Sequence, residues 1–158
     1  MVKKIQGNDK YSIELVNRCL AYFNIENCEL PFAIFHSANL NGSYFKNVTL
    51  YNANLCYANM FRTVFVDCFF ESAKFNSTKF YDVTFKNCFL HGADYRTEYI
   101  NEIAQNDELK MNIKFIDCIL YNVIMDKNSE QFRFIQRKKP KEALYDPDVI
   151  ILKNNIKI

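Results

Sequence analysis

The chain has 158 residues and a mass of 18.7 kDa, with 49% apolar and 24% charged residues and a formal net charge of +2. Such a chain builds one domain with a buried core, which excludes a disordered polymer, and its charge argues against both a strong nucleic-acid binder and a strongly acidic mimic. Three Gly and three Pro are too few for the turns of a conventional β-sandwich or barrel, and no apolar run approaches the roughly 20 residues that span a bilayer.

Residues 1–25 begin Met1-Val-Lys-Lys-Ile-Gln-Gly-Asn, basic but with no apolar stretch behind, so no secretory signal is expected. Within 10–23, Ile13, Val16, Leu20 and Phe23 recur at helical spacing, with Asn8 or Asp9 as N-cap. The spacing predicts a helix that caps the N-terminal end of the domain.

From Leu30 to Tyr95 every fifth residue is large and apolar: Leu30, Phe35, Leu40, Phe45, Leu50, Leu55, Met60, Phe65, Phe70, Phe75, Phe80, Phe85, Leu90, Tyr95. Two residues before each stands a smaller one, as at Cys28, Ala33, Ala38 and Ser43. Period five fits neither a helix nor a strand. A longer period of twenty lies over it: Phe45-Lys-Asn-Val-Thr-Leu-Tyr-Asn-Ala53 returns as Phe65-Val-Asp-Cys-Phe-Phe-Glu-Ser-Ala73 and as Phe85-Lys-Asn-Cys-Phe-Leu-His-Gly-Ala93. Twenty is four fives. The pattern predicts a coil of four five-residue sides, each turning one small and one large residue inward, and stacked coils that share one core.

The sides Ala38-Asn39-Leu40, Ala53-Asn54-Leu55, Ala58-Asn59-Met60 and Ala93-Asp94-Tyr95 resemble those of the pentapeptide-repeat family. The resemblance implies an all-β solenoid, a right-handed quadrilateral β-helix, over residues 26–125. Ninety in-register residues would make about 4.5 coils, or roughly 22 Å of rod.

A further copy, Phe115-Ile-Asp-Cys-Ile-Leu-Tyr-Asn-Val123, begins thirty residues after Phe85 instead of twenty. Ten residues are therefore inserted, within 97–110, where Glu98 would otherwise occupy an inward slot at high cost. The insertion is expected to leave the coil as a corner loop carrying Glu102, Asp107 and Glu108. With it removed, Cys28, Val48, Cys68, Cys88 and Cys118 line one inner column, and Asn27, Asn47, Asp67, Asn87 and Asp117 form a ladder beside it. The period vanishes after Met125. The tail 126–158, with the basic run Arg137-Lys-Lys-Pro-Lys141 and the strand-like Val149-Ile-Ile-Leu152, is expected to cap the other end and offers a route to a homodimer.

The six cysteines are read as reduced thiols, mostly buried, because an inward row spaced about 4.8 Å apart suits neither disulfides nor tetrahedral metal ligation. Cys56 falls outward and is the expected reactive thiol. Free thiols suit a cytoplasmic protein, or one delivered to a host cytosol if the chain is an effector. His36 and His91 lie on different sides, follow no nucleophile motif, and have no Gly-rich phosphate loop to work with. No enzyme activity, cofactor or metal is expected. Two outward columns point to binding instead: Phe69, Phe89 and Ile119 on the cysteine side, the alternative being that the tail 126–158 packs over them, and Asn41, Phe61 and Tyr81 on another.

The expected function is a non-enzymatic protein–protein interaction module, presenting aromatic columns and the corner loop to a protein partner. The family resemblance implies an alternative, a DNA-mimicking modulator of type II topoisomerase (gyrase) of the quinolone-resistance type. Those branches have acidic faces and dimerise through their C-termini. Residues 26–125 hold eight Lys/Arg and eleven Asp/Glu, a net −3, against about 13 negative charges on a similar length of duplex. That disfavours mimicry. Direct nucleic-acid binding and membrane association are not expected, the basic tail run being read as a solvated segment.

Overall fold

The computed structural model describes residues 13–96 and 113–126, together with the strands Ala143–Tyr145, Val149–Leu152 and Ile156–Lys157. The period-five residues are the core: Phe35, Leu40, Phe45, Leu50, Leu55, Met60, Phe65, Phe70, Phe75, Phe80 and Phe85 are all fully buried, and so are Ala33, Ala38, Ala53, Ala58, Ala73 and Ala93 in the small slots. Between the inward pairs the chain turns at every fifth residue. Asn27, Phe32, Ser37, Asn47, Asn52, Tyr57, Arg62, Asp67, Ser72, Ser77, Asp82 and Asn87 all have φ between 51° and 59°, and Gly42 and Gly92 complete the series. At one such corner the Ala38 N–H donates to the Phe35 carbonyl at 2.9 Å, closing a turn whose third residue, Ser37, has φ 57°. Asn and Asp tolerate this left-handed conformation best among residues with a Cβ and fill half of these twelve corners, whereas Phe32, Tyr57, Arg62 and three serines fill the rest.

The strands are short. β1 (Asn24–Glu29), β2 (Tyr44–Thr49), β3 (Asn59–Phe61), β4 (Val64–Val66), β5 (Lys79–Tyr81), β6 (Val83–Lys86) and β7 (Ile113–Ile116) stack in parallel. β1, β2, β4, β6 and β7 form one five-stranded sheet, and β3 pairs with β5 on another side. Partners are twenty residues apart, as in Phe45↔Phe65 and Met60↔Phe80, so four corners fall in each coil. The result is an all-β parallel solenoid. Rings stack along it at close to the inter-strand spacing: Phe45–Phe65 at 4.8 Å, Phe65–Phe85 at 4.9 Å and Phe75–Tyr95 at 4.6 Å.

Threonines and thiols in the small slots share one bonding pattern, while Ser43 donates to the Leu40 carbonyl of its own coil at 2.6 Å. Thr63 and Thr78 donate their hydroxyls to the Leu40 and Leu55 carbonyls at 2.7 Å, twenty-three residues back, one coil and three residues away. The Cys68 and Cys88 thiols reach the Phe45 and Phe65 carbonyls by the same offset at 3.7 and 3.6 Å. In a large slot, the buried Tyr95 hydroxyl has no hydrogen-bond partner among the described residues.

The expected N-terminal helix is not there over 13–23, and no helix occurs among the described residues. That stretch is one more length of coil, with Glu14 pairing Ile34 and Cys19 pairing Asn39 in parallel. Its corners at Asn17 and Tyr22 have φ 55° and 63°. Leu15, Leu20 and Ile25 continue the large slots and pack against the core. Arg18 and Phe23, standing where other coils have small residues, break the small-slot pattern and leave a spacing that mimics a helix. Val16 and Phe23, expected to face inward, are exposed at 39% and 52%. Residues 1–12 of the expected cap lie outside the described residues.

The ten-residue insertion is present in the register: Val83 pairs with Ile113 and Phe85 with Phe115, thirty apart. The inserted segment itself, with Glu102, Asp107 and Glu108, lies outside the described residues. Beyond it, β8 (Ile119–Leu120) and β9 (Ile124–Asp126) complete the last coil, followed by β10 (Ala143–Tyr145), β11 (Val149–Leu152) and β12 (Ile156–Lys157). Here the pairing turns antiparallel: β11 lies along β9 and β10, and Ile156 pairs with Leu120. The tail backbone thus occupies strand edges that would otherwise be open at this end.

Candidate interaction surface

An outward residue sits between each small and large inward pair, so the repeat lines such residues up along the axis. On the cysteine side Glu29, Thr49, Phe69, Phe89 and Ile119 are consecutive partners. Phe69 is 52% exposed and Ile119 38%, with Phe89 half-buried between them. The two phenyl rings lie 6.3 Å apart.

Beside this column two of the four expected rungs of the polar ladder form. Asn47 donates its side-chain amide to Asn27 Oδ1 at 3.0 Å, and Asn87 donates to Asp67 Oδ1 at 2.5 Å. Ladder and column enclose a shallow groove of about 240 Å³, lined by Asn47, Asp67, Phe69, Asn87, Cys88, Phe89, Asp117 and Ile119. A groove this small and open lies below the size of ordinary small-molecule pockets, and takes side chains of another chain more readily than a substrate.

The second expected column lies on a different side. Phe61 is 40% exposed, and Tyr81 is half-buried on the next coil. The Arg62 guanidinium lies 4.8 Å from the Phe61 ring centroid, and the Phe61 N–H donates to Asn41 Oδ1 at 2.8 Å. Nearby, Lys114 reaches Asp82 at 2.8 Å and holds its carboxyl below the usual carboxylate range. The two columns make two surfaces, not one.

A third aromatic row escapes the reading of the sequence. The residue after each large one reads Pro31, Tyr51, Glu71, His91 and Tyr121 on the cysteine side. His91 packs 5.0 Å from Tyr121 and 6.0 Å from Phe89, and lies 3.5 Å from the Glu71 carboxylate. Phe32, 54% exposed, meets the Tyr51 ring edge-on at 5.5 Å. The aromatic face therefore continues round the corner from Phe89. Alignment at period twenty carries the signal, one position past the core residue.

The thiols divide by position. Cys68, Cys88 and Cys118 are buried and Cys28 half-buried. The neighbouring Cys118 and Cys68 thiols, with burial, push the Cys88 thiol far above its ordinary value, and burial raises Cys28. Cys56 faces outward as expected, yet it is half-buried and donates to Asn76 Oδ1 at 3.6 Å. Burial, only partly countered by Asn76, raises its thiol. The exposed cysteine is Cys19, in the coil whose spacing suggests a helix. His36 accepts or donates a bond with Ser37 Oγ at 3.0 Å and packs 5.2 Å from Tyr57. Among the described residues no cluster of His, Cys, Asp and Glu has metal-ligating geometry, and no helix is long and apolar enough to cross a membrane.

Comparison with known proteins agrees with this geometry. The family described as "Pentapeptide repeats (8 copies)" matches residues 33–60. No curated protein matches the chain. Among solved structures, the solenoid resembles full-length QnrB1, a plasmid-mediated fluoroquinolone resistance protein, with a TM-score of 0.56 and 21% identity over 71% of this chain. The chain spans 58% of that protein's length. A pentapeptide repeat protein from the thylakoid lumen of Arabidopsis thaliana is also similar, at 16% identity and a TM-score of 0.44 over 74% of this chain and 72% of its own. With its five-residue sides and its corners, the chain carries pentapeptide repeats, matched over residues 33–60.

Proposed function

We propose that the protein is a non-enzymatic interaction module that binds a protein partner through the Phe69–Phe89–Ile119 column. In this reading the rod is a right-handed quadrilateral β-helix of about 4.5 coils, working in the cytoplasm, where its free thiols stay reduced. The observation that carries it is the exposure of Phe69 and Ile119, 52% and 38%, in register on one side of a rigid scaffold. Stacked apolar side chains beside a row of polar ones form the core and rim of a contact surface. The strand edges of the C-terminal tail offer a second copy a place to pair, as a homodimer would.

Mimicry of DNA, as a modulator of type II topoisomerase, is the competing reading. Its support is likeness to a fluoroquinolone resistance protein, and that likeness is one of fold. The exposed column is aromatic, where a duplex mimic would carry acids.

Affinity capture with the intact chain tests the proposal, alongside a variant lacking 101–110 and carrying Glu98→Ala. A stoichiometric protein partner held by both places the contact on the rod. A partner lost with the deletion moves the contact to the corner insertion. Capture of purified gyrase, resisted by added duplex DNA, would favour mimicry. No partner for either form would refute the interaction reading.

A further inference from the structure

The groove between ladder and column has a chemistry of its own, which deepens the proposed interaction role and rests on it. Its floor is apolar, formed by Phe69, Phe89 and Ile119, and its wall carries two carboxylates, Asp67 and Asp117. Asp67 spends one oxygen on the Asn87 amide. Asp117 is exposed and has no ion pair or side-chain hydrogen bond among the described residues. The lining side chains named above include no cation, and at the end of the column the Lys157 backbone pairs with Ile119. A site of this kind, two acids over aromatic faces, matches guanidinium or ammonium groups, whose flat or alkyl parts lie on rings while their N–H groups meet carboxylates.

The spacing narrows the occupant further. Asp67 and Asp117 are two coils apart, through Asn87, which is roughly 10 Å at the inter-strand spacing. In a polyproline II segment residues three apart lie on one face and about 9 Å from each other. In a flat β-strand residues three apart point to opposite faces. We propose that the groove binds an extended, proline-rich segment of a partner protein with two arginines three residues apart, each arginine meeting one carboxylate and packing on the column.

A fluorescein-labelled peptide PRPPRP, titrated with the full chain by anisotropy at low and high salt, tests this. Saturable binding is expected, weakened by salt. Asp67→Asn with Asp117→Asn should weaken it about tenfold or more, the scale of lost charged hydrogen bonds. The peptides PEPPEP and PPRRPP, with acids or with adjacent arginines, should bind at least several-fold more weakly. Equal binding of all three peptides, indifference to the Asp pair, or no binding of PRPPRP overturns the assignment. Thermal melts of each variant accompany the titration, and Phe69→Ser tests the apolar floor if the Asp pair fails to fold. If PRPPRP fails while a captured protein partner is still lost with Phe69→Ser, the cationic assignment falls and the interaction module stands. If Phe69→Ser loses no partner either, both fall.

Discussion

Phe85 and Phe115 stack with ring centroids 5.3 Å apart and planes inclined by 14°, nearly the geometry of Phe65 and Phe85 at 4.9 Å and 12°. Yet thirty residues separate the first pair and twenty the second. The insertion therefore leaves the stack as it finds it. Removing residues 101–110 restores the twenty-residue register but brings Glu98 to the slot that follows Thr78, facing inward. The deletion alone should cost about 2 kcal/mol or more, and adding Glu98→Ala should recover most of that. Urea denaturation of both variants measures the difference; equal stability would mean the coil does not close as the register implies.

Ala73 is fully buried, with Ala53 and Ala93 on the neighbouring coils. Three added carbons have no space there, so Ala73→Leu should destabilise by about 1–3 kcal/mol. A shift in the denaturation midpoint reads this directly. An unchanged midpoint would mean the side chain faces out.

Much of this architecture is legible in the sequence because the same slot recurs. Large residues at every fifth place, small ones two before, and the jump from Phe85 to Phe115 predict the core, the corners and the insertion. The first coil is not legible. Arg18 and Phe23 replace the small residues there, and Leu20 with Ile13, Val16 and Phe23 gives a false helical stripe. Outward positions are also hard to read, since nothing selects them for volume. The Phe69 column is visible because its residues are apolar in register, whereas Tyr51, Glu71, His91 and Tyr121 mix types and conceal a shared face.

Tyr95 is buried and stacked on Phe75 at 4.6 Å, with its hydroxyl unpartnered among the described residues. Burial drives its phenol well above the ordinary value, with the Cys118 and Cys88 thiols adding to the effect, so it remains neutral and keeps an unused donor. Tyr95→Phe keeps the ring and removes the unpaired group, and should stabilise by about 1 kcal/mol. Denaturation of the variant checks it. A loss of stability would point to a hydrogen-bonding role for the hydroxyl.

Thiol labelling without denaturant should modify Cys19 first, because it is exposed. Cys56 should follow slowly, and Cys68, Cys88 and Cys118 only after unfolding. Mass spectrometry of the labelled peptides gives the order. Early labelling of Cys68 or Cys88 would contradict the inward column.

The double variant Phe69→Ser with Phe89→Ser tests the central claim most directly. Both side chains face outward between buried neighbours, so their loss opens no core cavity. The measurement is quantitative capture of the protein partner held by the intact chain, paired with the thermal midpoint of each form. The interaction surface predicts at least a tenfold loss of partner and a midpoint within about 3 °C of the intact chain. Undiminished capture, or a midpoint that falls steeply because the rings hold other parts of the chain in place, would contradict it.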